Sequence, residues 1–142
     1  MKKIVLLGFL LACAACKLFN PTMSTYDQNA YSQTTSLKVD ALNIMDSAVE
    51  SYDIHKKSVA AVNTSIQKLY SYEKNLPRNE ITAAQWKIIT DTTGNLWGGF
   101  LVRWRKEKTL HKAFIDDEKT LIGDAFDQVA ELESRKIKAP TK

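Results

Sequence analysis

Cysteine is almost absent from this chain. Of its 142 residues only Cys13 and Cys16 are cysteines, so nothing beyond residue 16 can form a disulfide. Packing alone must hold the rest, whatever the redox compartment. Histidine is as scarce, with His55 and His111 far apart. A carboxylate-bridged metal site in a helical bundle calls for Glu-x-x-His pairs. Tyr52 and Lys108 stand where those glutamates would be, and no His-x-x-x-His or Cys-x-x-Cys-His occurs. There are five glycines and three prolines, and no phosphate-binding loop, Gly-x-Ser-x-Gly elbow, Ser-x-x-Lys motif or EF-hand spacing. No catalytic residue, metal ligand or cofactor is therefore assigned, and the expectation is a non-enzymatic protein. A long apolar run is also missing. The longest, Ile4 to Ala12, falls well short of the roughly 20 residues of a membrane-spanning helix.

What that short run does have is context. Met1-Lys2-Lys3 precedes it and small residues with cysteines follow, the order of an export signal. Leu10-Leu11-Ala12-Cys13 and Cys13-Ala14-Ala15-Cys16 both resemble the lipobox of bacterial lipoproteins. In that class the cysteine accepts a diacylglycerol and becomes the mature N-terminus. Cys13 has Leu three residues before it but a bulky Leu11 between; Cys16 has two small residues before it and leaves an apolar segment of more ordinary length. Both stand as lipidation sites, Cys16 being the better placed. The implied organisation is a signal peptide at 1–15, a lipidated N-terminus and tether at 16–30, a helical domain at 31–138 and a tail at 139–142. By the sorting rule of enteric lipoproteins, Asp after the cysteine retains the protein in the inner membrane. Ala14 or Lys17 occupies that place, which points to the outer membrane, facing the periplasm.

Charge does not choose a partner. The formal net charge is +4, and loss of Lys2 and Lys3 with the signal leaves +2. Nucleic acid, which calls for a basic surface, is not an expected partner, and export makes it less so. Basic residues cluster locally, as Arg103, Arg105, Lys106, Lys108 and Lys112, and as Arg135, Lys136, Lys138 and Lys142. A solvated helix face and a dipole-complementing C-terminus account for them; contact with anionic headgroups or an acidic envelope protein is the alternative.

The remaining pattern is helical throughout. Met45, Tyr52, Val59 and Ile66 fall seven apart, as do Ala41, Ala48, His55, Val62 and Leu69. This predicts one helix over about 36–75, or two meeting near Ser51–Asp53, with the start between Asp27 and Ser36. Pro77 ends it. Thr82-Ala83-Ala84-Gln85 matches a capping box, with Ile81 and Trp86 placed for a hydrophobic staple, predicting a short helix at 83–91 closed by a left-handed Gly94. A tryptophan-rich helix follows at 95–107. Its Gly98-Gly99 pair costs about 1 kcal/mol per glycine, which points to close helix approach. The last helix spans about 110–135, with Asp116-Asp117-Glu118 near its start and Phe126, Val129 and Leu132 on its apolar face. The fold class is all-α, a bundle of three to four helices. His55, on the apolar stripe, reads as a satisfied core histidine. Trp86, Trp97, Phe100 and Trp104 read either as core or as a partner- or ligand-binding surface, since Trp is enriched at binding hot spots.

Ser36-Leu37-Lys38-Val39-Asp40-Ala41-Leu42, Asn79-Glu80-Ile81 with Gln85-Trp86, Gly98-Gly99-Phe100-Leu101 and Ala125-Phe126-Asp127 together resemble small, exported, helical lipoproteins of Gram-negative bacteria with no assigned activity. That resemblance implies a fold and a location and transfers no functional residues. The expected role is a lipid-anchored interaction or structural module that binds another envelope protein, alone or as a coiled-coil oligomer. A ligand- or metal-binding periplasmic bundle is the alternative.

Overall fold

Asp27 opens the first helix. Its backbone is extended, and its carboxylate accepts from the N–H groups of Asn29 (2.8 Å) and Ala30 (3.1 Å), two of the donors that a helix start leaves unpaired. Its other oxygen accepts from the Tyr72 hydroxyl, so the cap also ties two helices. Burial pushes the Asp27 carboxyl up, but the hydrogen bonds from Tyr72, Ala30 and Asn29 outweigh it and leave the carboxyl below its ordinary range. The same bond pushes the Tyr72 hydroxyl up to about 12. Asp27→Ala is expected to cost about 1–2 kcal/mol in a urea titration, and Asp27→Asn to recover part of it, since the amide oxygen still accepts from one helix end.

The computed structural model describes residues 24–136. Five α-helices follow one another: α1 (Gln28–Asp46), α2 (Tyr52–Lys74), α3 (Glu80–Thr90), α4 (Trp97–Glu107) and α5 (Lys112–Ser134), with a 3₁₀ turn at Ser47–Val49. No strand occurs among the described residues. Helix α1 packs on α5 and α2, α3 bridges α2 and α5, and α4 lies against α2 and α3. Helices α1 and α2 are antiparallel, so Asp27 and Tyr72 meet at one end and the 47–51 corner lies at the other.

The heptad stripe is buried as its spacing requires, but it belongs to two helices. Ala41, Met45 and Ala48 on one side of the corner and Val59, Ile66 and Leu69 on the other are all in the core. The chain turns at 47–51, with Glu50 and Ser51 extended. The physical reason lies elsewhere in the chain. Tyr52 N–H donates to Lys108 O (2.9 Å), Leu110 N–H donates to Ala48 O (2.8 Å), and Trp104 Nε1 donates to Glu50 O (2.9 Å). The α4–α5 connection thus satisfies backbone groups that a break exposes. Ser51 takes the N-cap position without a side-chain bond, and Asp53 sits in the first turn of α2.

Several boundaries are corrected. Helix α1 starts at Gln28, and Ser24 is already buried, so the packed unit begins before residue 31. The capping box at Thr82 is not formed. Helix α3 starts at Glu80 after Asn79, Ala83 N–H already donates to Asn79 O, and Thr82 is a buried residue inside the helix. The staple is absent too: Ile81 is 55% exposed while Trp86 is fully buried. Gly94 is not left-handed; no glycine among the described residues has positive φ. Asp91 turns the chain there, its carboxylate accepting from the N–H and hydroxyl of Thr93. The acidic run 116–118 lies beyond the first turn of α5, which is capped by His111 without a side-chain bond. The expectation from Gly98-Gly99 holds, with a nearer partner than another helix flank. A Cβ on Gly98 would lie 2.5 Å from Thr90 O, and one on Gly99 1.8 Å from Gly94 O. The first turn of α4 is seated directly on the end of α3 and the turn after it.

Candidate functional site

The aromatic residues singled out by spacing are core. Trp86, Trp97 and Trp104 are fully buried and Phe100 is 2% exposed, so they present no partner or ligand surface. Nor do they form one group. Trp86, on α3, meets Phe126 of α5 edge-on at 5.6 Å. Trp104, on α4, meets Tyr52 edge-on at 5.3 Å and lies beside Phe100, which stacks on Phe114. Trp97 Nε1 donates to Asn63 Oδ1 at 3.2 Å. His55 is partly buried, with Nε2 2.7 Å from Glu50 Oε2 and its ring beside Trp104. No group of three His, Cys, Asp or Glu side chains among the described residues is placed to hold a metal ion. Cys13 and Cys16 lie outside the described residues.

The chemically unusual place is at the other end of the bundle, where α2 ends, α3 begins and α5 ends. Glu73 and Glu133 are fully buried, and Lys136, Asn79, Thr82 and Ser24 are buried around them. The Lys136 ammonium donates to Glu133 Oε1 and lies 3.8 Å from Glu73 Oε2. Asn79 Nδ2 donates to Glu73 Oε2 (2.5 Å) and to Glu73 O (2.8 Å), which holds the turn between α2 and α3. Ser24 Oγ donates to Asn79 Oδ1 and Ser24 N–H to Arg78 O, both at 3.0 Å. Thr82 Oγ1 is 3.5 Å from Glu133 Oε1. One network therefore ties the residue where the N-terminal segment joins the fold to α2, α3 and the C-terminal end of α5.

Its proton inventory is uneven. Two carboxyl groups share one ammonium, and Glu73 Oε1 and Glu133 Oε2 have no hydrogen-bond partner. Burial, and then the charge of Glu133, push the Glu73 carboxyl up to about 7; Lys136 and the Asn79 amide pull it down less strongly. Below about pH 7 the group keeps its proton, which balances the charge of the triad. Both carboxyls are sealed from solvent, so the cluster locks the fold and offers no substrate access.

No family model matches the chain, nor does any curated protein or solved structure.

The cluster was legible as an anomaly of spacing. Glu73 stands seven residues after Ile66, on the same stripe as Val59, where an apolar residue belongs. Glu133 likewise continues Ile122, Phe126 and Val129 on α5. A charge on an apolar stripe is the signal. Its partner, on another helix, is set only by packing.

Proposed function

We propose that this chain is a lipid-anchored protein of the bacterial cell envelope, a non-enzymatic helical module that binds another envelope protein while held close to the membrane. The observation that supports this is the shortness of the tether. Cys16, the better-placed lipidation residue, precedes Ser24 by eight positions, and Ser24 is already hydrogen-bonded into the fold. Eight extended residues reach about 28 Å. The bundle then stays near the bilayer surface, with the Ser24 end towards it. The lipid carries two or three acyl chains in the lipoprotein class, enough for stable anchoring, where one chain is marginal.

The end remote from the tether presents apolar residues for a partner. Ile54 is 71% exposed and Val49 46%, both at the α1–α2 corner. Tethering to a surface raises the effective concentration of such a module for other proteins of the same envelope. The sorting rule for the residue after the cysteine favours the outer membrane, on its periplasmic face.

Metabolic labelling with a palmitate analogue tests the anchor. Wild type should carry label and sediment with membranes, and C13A/C16A should lose both. The single variants assign the site: C16A alone should abolish labelling if Cys16 is the modified residue. A soluble, unlabelled wild-type protein overturns the proposal. A photo-crosslinking residue at position 54 tests the partner, with an adduct expected there and none from position 121 on the flank of α5.

A further inference from the structure

Helix α3 is amphipathic in an unusual sense. Thr82, Trp86 and Ile89 face the core, yet Ile81 and Ile88 are 55% and 53% exposed, with exposed Ala84 between them. Those three fall at i, i+3 and i+7, one stripe along the outer face. Beside the stripe, a shallow groove of about 270 Å³ between α2 and α3 is lined by Tyr70, Leu76 and Ala83 and by two lysines, Lys74 and Lys87, with Glu80 the acidic residue. Lys74 and Lys87 are exposed. An exposed apolar stripe with lysines beside it offers the two contributions that hold a surface at a membrane interface, buried apolar area and attraction to anionic headgroups.

What selects a lipid surface over other occupants is where the N-terminal segment leaves the fold. Ser24 is bonded to Arg78 and Asn79, the two residues immediately before α3, and only two to three positions from Ile81. The candidate lipidation cysteine Cys16 stands eight positions before it. The basic residues Lys138 and Lys142 follow the last described residue, Lys136, which belongs to the same end. The N-terminal segment therefore joins the fold beside the start of α3.

We propose that the outer face of α3, through Ile81, Ala84 and Ile88 with Lys74 and Lys87 alongside, docks on the anionic phospholipid surface in which this protein's own anchor sits. The inference rests on the lipid-anchor reading and adds an orientation to it: the bundle lies with the outer face of α3 on the bilayer. The dual contact follows the rule that a lipid chain and a basic or apolar patch reinforce each other.

The test uses the full mature lipoprotein reconstituted in vesicles of phosphatidylethanolamine and phosphatidylglycerol, doped with a phosphatidylglycerol that carries a photoreactive group near its carbonyls. Mass spectrometry should place most of the label on residues 80–88. Val39, Ile54, Val102 and Leu121, exposed elsewhere, should carry several-fold less. I81E/I88E should keep the wild-type melting temperature, remain membrane-bound through its acyl chains and lose the α3 label. Lipid label spread evenly over the exposed apolar residues, or absent from α3 while the N-terminus is acylated and membrane-bound, overturns the inference and leaves the anchor reading standing. Protein adducts at position 88 in cells without lipid label, to another protein or to a second copy, overturn it as well. An unacylated protein that stays in solution fails the anchor reading itself.

Discussion

Gly99→Ala is expected to destabilise the bundle by about 3 kcal/mol or more. The added Cβ would sit 1.8 Å from the carbonyl oxygen of Gly94, and a backbone atom cannot rotate aside. The first turn of α4 would have to lift off the turn before it, and with it Trp97 and Phe100, both buried. Overpacking in a well-filled core costs about 1–3 kcal/mol, and a contact with backbone on both sides belongs at or beyond the upper end. Gly98→Ala meets Thr90 O at 2.5 Å and Asp91 C at 2.6 Å and should behave alike. The internal control is Gly123→Ala on α5. There the Cβ meets only side-chain carbons, Lys38 Cε at 3.5 Å and Leu42 Cδ1 at 3.7 Å, in ordinary contact. Alanine in a helix interior gains about 0.5–1 kcal/mol over glycine. Thermal melts should therefore move in opposite directions: down by roughly 10 °C or more for Gly99→Ala and up by a few degrees for Gly123→Ala. Equal and small changes in the two variants would refute the close seating of α4 on α3.

The second expected result concerns pH. Glu73 titrates at about 7 in the fold, against 4.5 for an ordinary glutamate. The raised value means that the folded protein keeps a proton that the unfolded chain has released. Its contribution is whole below about 4.5 and is lost as the pH rises through about 7. Between pH 5 and pH 8 the bundle should lose about 2–3 kcal/mol from this group, at up to about 1.4 kcal/mol per pH unit between the two pKa values and levelling off above about 7. The surroundings that set this value are Glu133 on α5, Lys136 just after it, the Asn79 amide before α3 and Asp27 before α1. Glu73→Gln should flatten the profile. It keeps an acceptor for Asn79 Nδ2 and replaces the unpartnered Glu73 Oε1 with an amide that carries no charge. The variant should match wild type near pH 5 and exceed it by about 2–3 kcal/mol at pH 8. Lys136→Met tests the same cluster from the other side. It strands two buried carboxyls, and breaking a buried pair in this way costs about 3–5 kcal/mol; the loss should be largest at pH 8. Urea titrations at the two pH values measure both. A wild-type slope that survives Glu73→Gln unchanged would sink the assignment.

These two results probe features that differ in how far they could be foreseen. Gly98-Gly99 announced itself, because two glycines in a helical segment cost more than any local preference can offset. The burial of the heptad stripe was equally plain, since a period of seven over thirty residues has only one apolar face to hide. The aromatic residues were ambiguous by nature. A tryptophan spaced for the core and one spaced for a groove look the same until neighbouring helices cover it, and Trp86 is covered by Phe126, forty positions away. The capping box at Thr82 shows the opposite error. Its residues fit the local rule, but Asn79 is held by Glu73 and Ser24, and α3 begins with it.

By itself the sequence determined that the chain is all-helical, that Pro77 separates two helical segments, that a buried stripe runs through residues 41–69 and that a close backbone approach surrounds Gly98-Gly99. These follow from spacing, donor loss and missing Cβ atoms, which act within a few residues. Only the tertiary structure decided that the stripe breaks at 47–51, that the tryptophans are sealed, that Glu73 finds Glu133 and Lys136, and that the N-terminal segment joins the fold beside α3. Each of these rests on hydrogen bonds or burial between elements far apart in the chain. A local pattern can leave a backbone group or a charge without a partner. Which distant residue supplies that partner is settled when the helices pack.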